Sequence, residues 1–373
     1  MRKSILQNLA LLGSALLVCL VAAELFFRLW PQFLNEEATL RLHWRDLVED
    51  ARDQAWTVPD PHLGFLYKPN LSGRVGRHDF EFTFSTDENG FRNPSPWPEQ
   101  ADIVVVGDSM AFGYGVNDEQ VWVRLVANEL PKNEVINLGL VGSGPQQYLR
   151  VLEAFGFRLN PKIVLFMLFP GNDVADAESF RNWLNAGTDV PYKEWRMTRG
   201  REPDRLRRLL EGSYLVAFLR GARKTLTSSV AARTIELQGG SHVQLVPGLP
   251  RSEKAHPGNP VFELVMDTVD QARTISSQRG SQFLVLLMPA KEEVYLPFPG
   301  ESAPQAVGSF AMALRERGIP FLDLTPDFRA QARNAKPLFF EVDGHPNEEG
   351  YRLIARVVTE HLTQHGRAYG LWN

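Results

Sequence analysis

The sequence predicts an α/β fold, a three-layer α/β/α sandwich around a five-stranded, mainly parallel sheet, with an N-terminal transmembrane helix and a small β-rich preface. Three observations predict it. From Asp102 onward, short β-forming runs alternate with helical stretches, the signature of strands joined by crossover helices. Residues 5–23 form an apolar run without a charge. Residues 59–98 are rich in Pro, Gly and Asn and contain a period-two stretch, Phe80, Phe82 and Phe84 against Asp79, Glu81 and Thr83, as expected of a half-buried strand.

The N-terminus speaks to location. Arg2 and Lys3 precede ILQNLALLGSALLVCLVAA, which keeps the N-terminus cytoplasmic and sends the remainder outward. Val21-Ala22-Ala23 is a tolerable signal-cleavage site, so secretion after cleavage is the alternative. The apolar continuation ELFFRLW, with Arg28 and Trp30 placed as interfacial anchors, favours an uncleaved span over residues 1–30. Either way the bulk of the chain is expected outside the cytoplasmic membrane, periplasmic or extracellular. Cys19 is the single cysteine, which excludes an internal disulfide and a Cys-rich metal site. Leu16-Leu17-Val18 before it is not a lipoprotein signal. A net charge of −4 gives no reason to expect a nucleic-acid partner.

Residues 31–100 read as a charged, partly helical stalk followed by the preface. The main domain is expected over 101–366, with a tail at 367–373. Its strands are DIVVVGD, EVINLG, KIVLFMLF, QFLVLLMP and IPFLDLT. EQVWVRLVANEL follows the capping candidates Asn117 and Asp118. The last helix starts near Asn347, with Tyr351, Ile354, Val358 and Leu362 on one face and Arg352, Arg356 and Glu360 opposite. An insertion at 177–258 interrupts the alternation. Between Lys193 and Lys224 it carries ten Lys/Arg against four Asp/Glu. SYLVAFLRGARK (213–224) is either an amphipathic helix on an anionic surface or the solvated face of an insertion folded over the site's edge; the second is the plainer reading.

Four pieces fall at the C-terminal ends of strands or just before the last helix, where an open α/β sheet places its site. They are GDSMAFGYG with Ser109, the glycine-rich NLGLVGSGP with Gly142, FPGNDV with Asn172, and EVDGHPNEEGY with Asp343 and His345. Singly, each has a structural explanation: a helix cap, a tight turn, a surface histidine. Together they supply each part that acyl transfer requires. A serine needs a neutral imidazole as base, the imidazole an acid on its other nitrogen, and the oxyanion preorganised N–H donors. Ser109, His345 and Asp343 fill the first three places. The Ser109 and Gly142 N–H groups and the Asn172 amide form the candidate oxyanion hole. Glu341 is the spare acid. Asp108 and Asp173 are assigned to loop hydrogen bonding.

On these residues the chain resembles the SGNH (GDSL-type) hydrolase superfamily, whose blocks supply Ser, Gly, Asn and His, here Ser109, Gly142, Asn172 and His345. NGFRN and MPAKEEVY also resemble an exported, membrane-anchored bacterial branch. The superfamily's last block usually places Asp three residues before His. Here that position is Val342, and Asp343 is two before, a spacing that resembles alginate O-acetyltransferase-like relatives. The resemblance implies a flavodoxin-like sandwich and an acyl-enzyme mechanism without metal or organic cofactor. It further implies a serine esterase, acting on a small ester or on acyl groups of extracytoplasmic carbohydrate. Two other functions fit the same residues. One is O-acyl transfer to a sugar hydroxyl, with an acyl-donating membrane partner; the other is a non-catalytic glycan-binding or assembly role.

Overall fold

The computed structural model describes residues 2–39, 41–42, 56–77, 79–198, 210, 212–227, 233–245, 254–296, 306–332 and 336–372. The strands are β1 (Thr57–Asp60), β2 (Gly64–Tyr67), β3 (Ser72–Gly76), β4 (Glu81–Ser85), β5 (Ile103–Val106), β6 (Val135–Asn137), β7 (Ile163–Leu168), β8 (Arg233–Glu236), β9 (His242–Leu245), β10 (Gln282–Leu287) and β11 (Phe321–Asp323). The central sheet has the order β11-β10-β7-β5-β6 with every pair parallel, the five-stranded sheet the sequence predicts.

A parallel strand is covered on both faces and so carries a continuous apolar run. β5 shows this directly. Val104 and Val106 enter the core shared with Leu152, Phe180 and Val265. Ile103 and Val105 enter the opposite core with Trp122, Val126, Ile354 and Val358. All four β5 side chains are fully buried, and each contributes about 1.5–3 kcal/mol relative to exposure. The last helix, Glu348–His365, is capped by the Asn347 side chain on the Gly350 N–H. It buries Tyr351, Ile354, Val358 and Leu362 and turns Arg352, Arg356 and Glu360 to solvent.

The preface is two antiparallel hairpins, β1–β2 and β3–β4. Phe82 and Phe84 of β4 are buried in the same core as Tyr67 and Phe112. Arg92, from NGFRN, ties this preface to the segment after Ser109. Its buried guanidinium donates to the Gly113 and Val116 carbonyls at 2.7 and 2.6 Å and to Asp118 at 2.6 Å.

At the N-terminus, Arg2–Leu29 is one helix, and Gln7–Leu29 is long and apolar enough to cross a membrane or to act as a signal sequence. Its C-terminal end is docked on the insertion helix Tyr214–Thr227. The Glu24 carboxylate accepts from the Ser213 hydroxyl and from the Tyr214 and Leu215 N–H groups, capping that helix. Phe27 stacks on Phe218 with centroids 4.5 Å apart, and Asn35 Nδ2 donates to the Phe218 carbonyl. Lys224 pairs with Glu37 at 2.8 Å, and Ala38 is buried beside Ala217. Segment 213–224 is therefore helical, with one face taken by the N-terminal chain. Leu219, Arg220, Arg223 and Leu226 are exposed on the other. The stretch 43–55, part of the expected stalk, and the basic residues of 199–209 lie outside the described residues.

Candidate active site

Ser109 stands just beyond β5. Asp108 caps the single turn Ser109–Phe112 by accepting the Met110 N–H at 2.8 Å, and Gly113 ends it in the left-handed conformation. Gly107 lets this turn pass close to β7, because a Cβ there would lie 2.8 Å from the Met167 side chain. The glycine block lies directly on the same turn. Leu140 N–H donates to the Gly107 carbonyl at 3.0 Å, and Asn137 Nδ2 donates to the Ala111 carbonyl at 2.8 Å. Gly142 itself has φ +78°, and its carbonyl accepts from Arg196 of the insertion helix Tyr192–Thr198.

Asn172 caps the helix Asp173–Ala186 by position and turns its side chain toward Asp108, with Nδ2 donating to Asp108 Oδ2 at 2.9 Å. One Nδ2 proton is thereby used and one remains. Asp173 is buried behind it and accepts from the Phe169 N–H and the Tyr148 hydroxyl. Burial and the neighbouring Asp108 push the Asp173 carboxyl well above its ordinary range. Both aspartates thus make the loop hydrogen bonds expected of them. Asp108 additionally orients Asn172, and its Oδ2 lies 3.5 Å from the Ser109 hydroxyl.

His345 closes the site from the far end of the chain. Its Nε2 is 2.7 Å from Ser109 Oγ, and its Nδ1 is 2.5 Å from Asp343 Oδ1. The same Asp343 oxygen accepts the His345 backbone N–H at 2.7 Å. This is an Asx turn, in which an aspartate bonds the backbone two residues on. It explains how a two-residue spacing brings acid to base: the turn curls the carboxylate back over its own chain. With Nδ1–H donated to Asp343, Nε2 is left as the acceptor for the serine hydroxyl. Glu341, the spare acid, has an exposed side chain, and its carbonyl accepts the Gln244 N–H from β9. Ser109 is 4% exposed and Asp343 1%, so the chain of hydrogen bonds is largely shielded from water.

Several neighbours escape a reading by motif. The Tyr114 ring lies 4.9 Å from the His345 ring. Arg196 bridges the Gly142 carbonyl and the buried Asp176. Asp79 and Lys291 touch the backbone that carries Asp343. The apolar-polar alternation around Asp79 and the stretch MPAKEEVY around Lys291 were the signals available, but neither states a partner. Among the described residues no group of three or more His, Cys, Asp or Glu is placed to hold a metal ion.

The model of the GDSL-like Lipase/Acylhydrolase family matches residues 105–353, about two thirds of the chain. No curated protein matches it. Among solved structures, a member of the lipolytic protein G-D-S-L family from Veillonella parvula is similar at 16% identity, covering 70% of this chain and 98% of its own, with a TM-score of 0.38. A GDSL-like lipase from Bacteroides thetaiotaomicron is similar at 13% identity, covering 73% and 92%, with a TM-score of 0.37. An acetyl xylan esterase is similar at 12% identity, covering 70% and 99%, with a TM-score of 0.38.

Proposed function

The chain belongs to the GDSL-like lipase/acylhydrolase family of ester hydrolases, and from that premise we propose that Ser109, His345 and Asp343 cleave acyl esters through an acyl-enzyme. The continuous hydrogen-bonded path from Ser109 through His345 to Asp343 carries this reading. His345 takes the serine proton through Nε2, and Ser109 Oγ attacks the ester carbonyl. Asp343 fixes the tautomer and stabilises the imidazolium. The N–H groups of Ser109 and Gly142 and the second Nδ2 proton of Asn172 receive the oxyanion. His345 then protonates the departing alkoxide. It next activates a water that releases the carboxylic acid from the serine.

The substrate reading follows from location. Arg2 and Lys3 ahead of the apolar helix support a domain on the outer face of the cytoplasmic membrane, in the periplasm or beyond. O-acyl groups on carbohydrate are the esters proposed for that side. Transfer of the acyl group to a sugar hydroxyl uses the same intermediate and differs in the acceptor alone. The test uses the full chain in detergent with p-nitrophenyl acetate, with and without an acetyl-accepting oligosaccharide. Serine-dependent release with acetate as the sole acyl product supports hydrolysis. Acetylated sugar replaces it with transfer, and tight glycan binding without turnover replaces both with the non-catalytic role.

Two further outcomes follow. Asn172→Ala should lower kcat on the order of 10²–10³-fold, because the amide donor is lost from the developing oxyanion; wild-type turnover would remove Asn172 from that role. The pH profile is the second. Burial alone pulls the His345 imidazole down, but the charge and hydrogen bond of Asp343, with the charges of Asp108 and Asp79, outweigh it and raise its pKa above 6.5. A base must be neutral to act, so kcat/KM should rise with pH through a midpoint above 6.5. A midpoint below that value would contradict the assignment.

A further inference from the structure

The segment 340–343 runs between two charged side chains drawn from distant parts of the chain. On one side is Lys291, at the start of the short helix Lys291–Tyr295 beyond β10, with a side chain that is nearly fully buried. Its ammonium donates to four successive backbone carbonyls: Phe340 at 3.2 Å, Glu341 at 3.1 Å, Val342 at 3.1 Å and Asp343 at 2.9 Å. Three N–H bonds thus serve four acceptors, so the ammonium sits centrally over a curled backbone. On the other side is Asp79, at the tip of the β3–β4 hairpin. Its Oδ2 accepts the N–H groups of Val342 at 2.8 Å and Asp343 at 3.0 Å.

The neighbouring packing fixes the same segment. Phe80, next to Asp79, packs its ring 4.4 Å from that of Phe340. Gly115 leaves the room that ring occupies, since a Cβ there would lie 2.4 Å from it. A bridge between Phe339 and Pro346 closes the loop at its base. Burying an ammonium is costly unless its donors are satisfied. Here every carbonyl it satisfies belongs to the segment that leads into the Asx turn.

Building on the Ser109–His345–Asp343 reading, we propose that Lys291 and Asp79 are positioning residues that grip this segment through its carbonyls and its amides, and so set where Asp343 holds His345. The preface is then a working part of the site, because Asp79 is its contribution. Neither residue touches the reacting atoms. Their effect runs through the placement of the base, and a misplacement of about 1 Å costs on the order of 10²-fold in rate.

The experiment compares Asp79→Ala, Asp79→Asn and Lys291→Met in the full chain. It reads kcat and KM for p-nitrophenyl acetate across pH, alongside the melting temperature. Asp79→Ala is expected to lower kcat on the order of 10²-fold with KM and cooperative melting retained. Asp79→Asn keeps an acceptor oxygen for the two amides and should restore most of kcat. It also removes one of the three carboxylates that raise His345, so the ascending limb should move to lower pH, with Asp343 and Asp108 remaining. Tyr114 and the Ser109 hydroxyl, which also face the ring, are unchanged in every variant. Lys291→Met should lose kcat as Asp79→Ala does; if it fails to fold, the two Asp79 variants decide. A folded Asp79→Ala enzyme with wild-type kcat and an unmoved limb overturns the proposal. So does an Asp79→Asn enzyme as slow as Asp79→Ala with its limb in place. An active Ser109→Ala enzyme, by contrast, overturns the underlying catalytic reading.

Discussion

Replacing Ser109 by alanine is expected to lower kcat by on the order of 10⁵–10⁶-fold, because among the described residues no other hydroxyl is hydrogen-bonded to His345. The change removes one oxygen from a nearly buried position. Its structural cost is limited to the partners it leaves, the Nε2 of His345 and the more distant Oδ2 of Asp108, about 1–3 kcal/mol. The Asp343 bonds to the ring and to the backbone N–H stay in place. Loss of turnover with cooperative melting preserved is therefore the expected pair of results. A fluorophosphonate probe should label the wild-type protein at Ser109 and leave the variant unlabelled. Turnover at the wild-type rate in the variant would remove Ser109 as nucleophile.

Asp343→Asn is expected to cost about 10⁴-fold in kcat. Asparagine matches the carboxylate in shape and still offers an oxygen to the His345 backbone N–H, so the turn should survive. What it lacks is the negative charge that stabilises the imidazolium formed as Ser109 gives up its proton. The same loss lowers the imidazole pKa, so the ascending limb should shift to lower pH as kcat falls. Glu341→Gln should change neither quantity, since its side chain is exposed and the ring nitrogen is already bonded to Asp343. If Glu341→Gln proves the more damaging of the two, the acid is Glu341.

Much of this architecture was legible because it is written locally. Four consecutive β-branched residues in Ile103–Val106 must be covered on both faces, and the glycine after them permits a tight exit toward Ser109. Asn347 announces the last helix three residues before the N–H it caps. The Asp-x-His spacing was equally visible, but its consequence was not. The curl that lets Asp343 Oδ1 serve ring and backbone together is a matter of side-chain rotation, which spacing leaves undetermined. Asp79 and Lys291 were harder still. Each reads as an ordinary polar residue beside an element, and their shared partner lies 263 and about 50 residues away along the chain, respectively. The docking of Glu24 on Ser213 and Leu215 is of the same kind: a carboxylate in an apolar helix has no visible partner until the insertion folds against it.

The distance along the chain between the proposed nucleophile and base has a consequence in time. Ser109 and His345 are 236 residues apart, and β11, the last strand of the central sheet in chain order, ends at Asp323. A chain that has emerged only as far as β11 already contains every strand of the central sheet and the serine turn, yet it lacks the proposed base and should not react. Contacts this remote in sequence also form late, after the entropy of a long closing loop has been met. During refolding, secondary structure should therefore recover before esterase activity does. With His345 as the proposed base, activity should mark the moment the C-terminal loop seats, so that an unfinished enzyme stays silent by virtue of its own chain order.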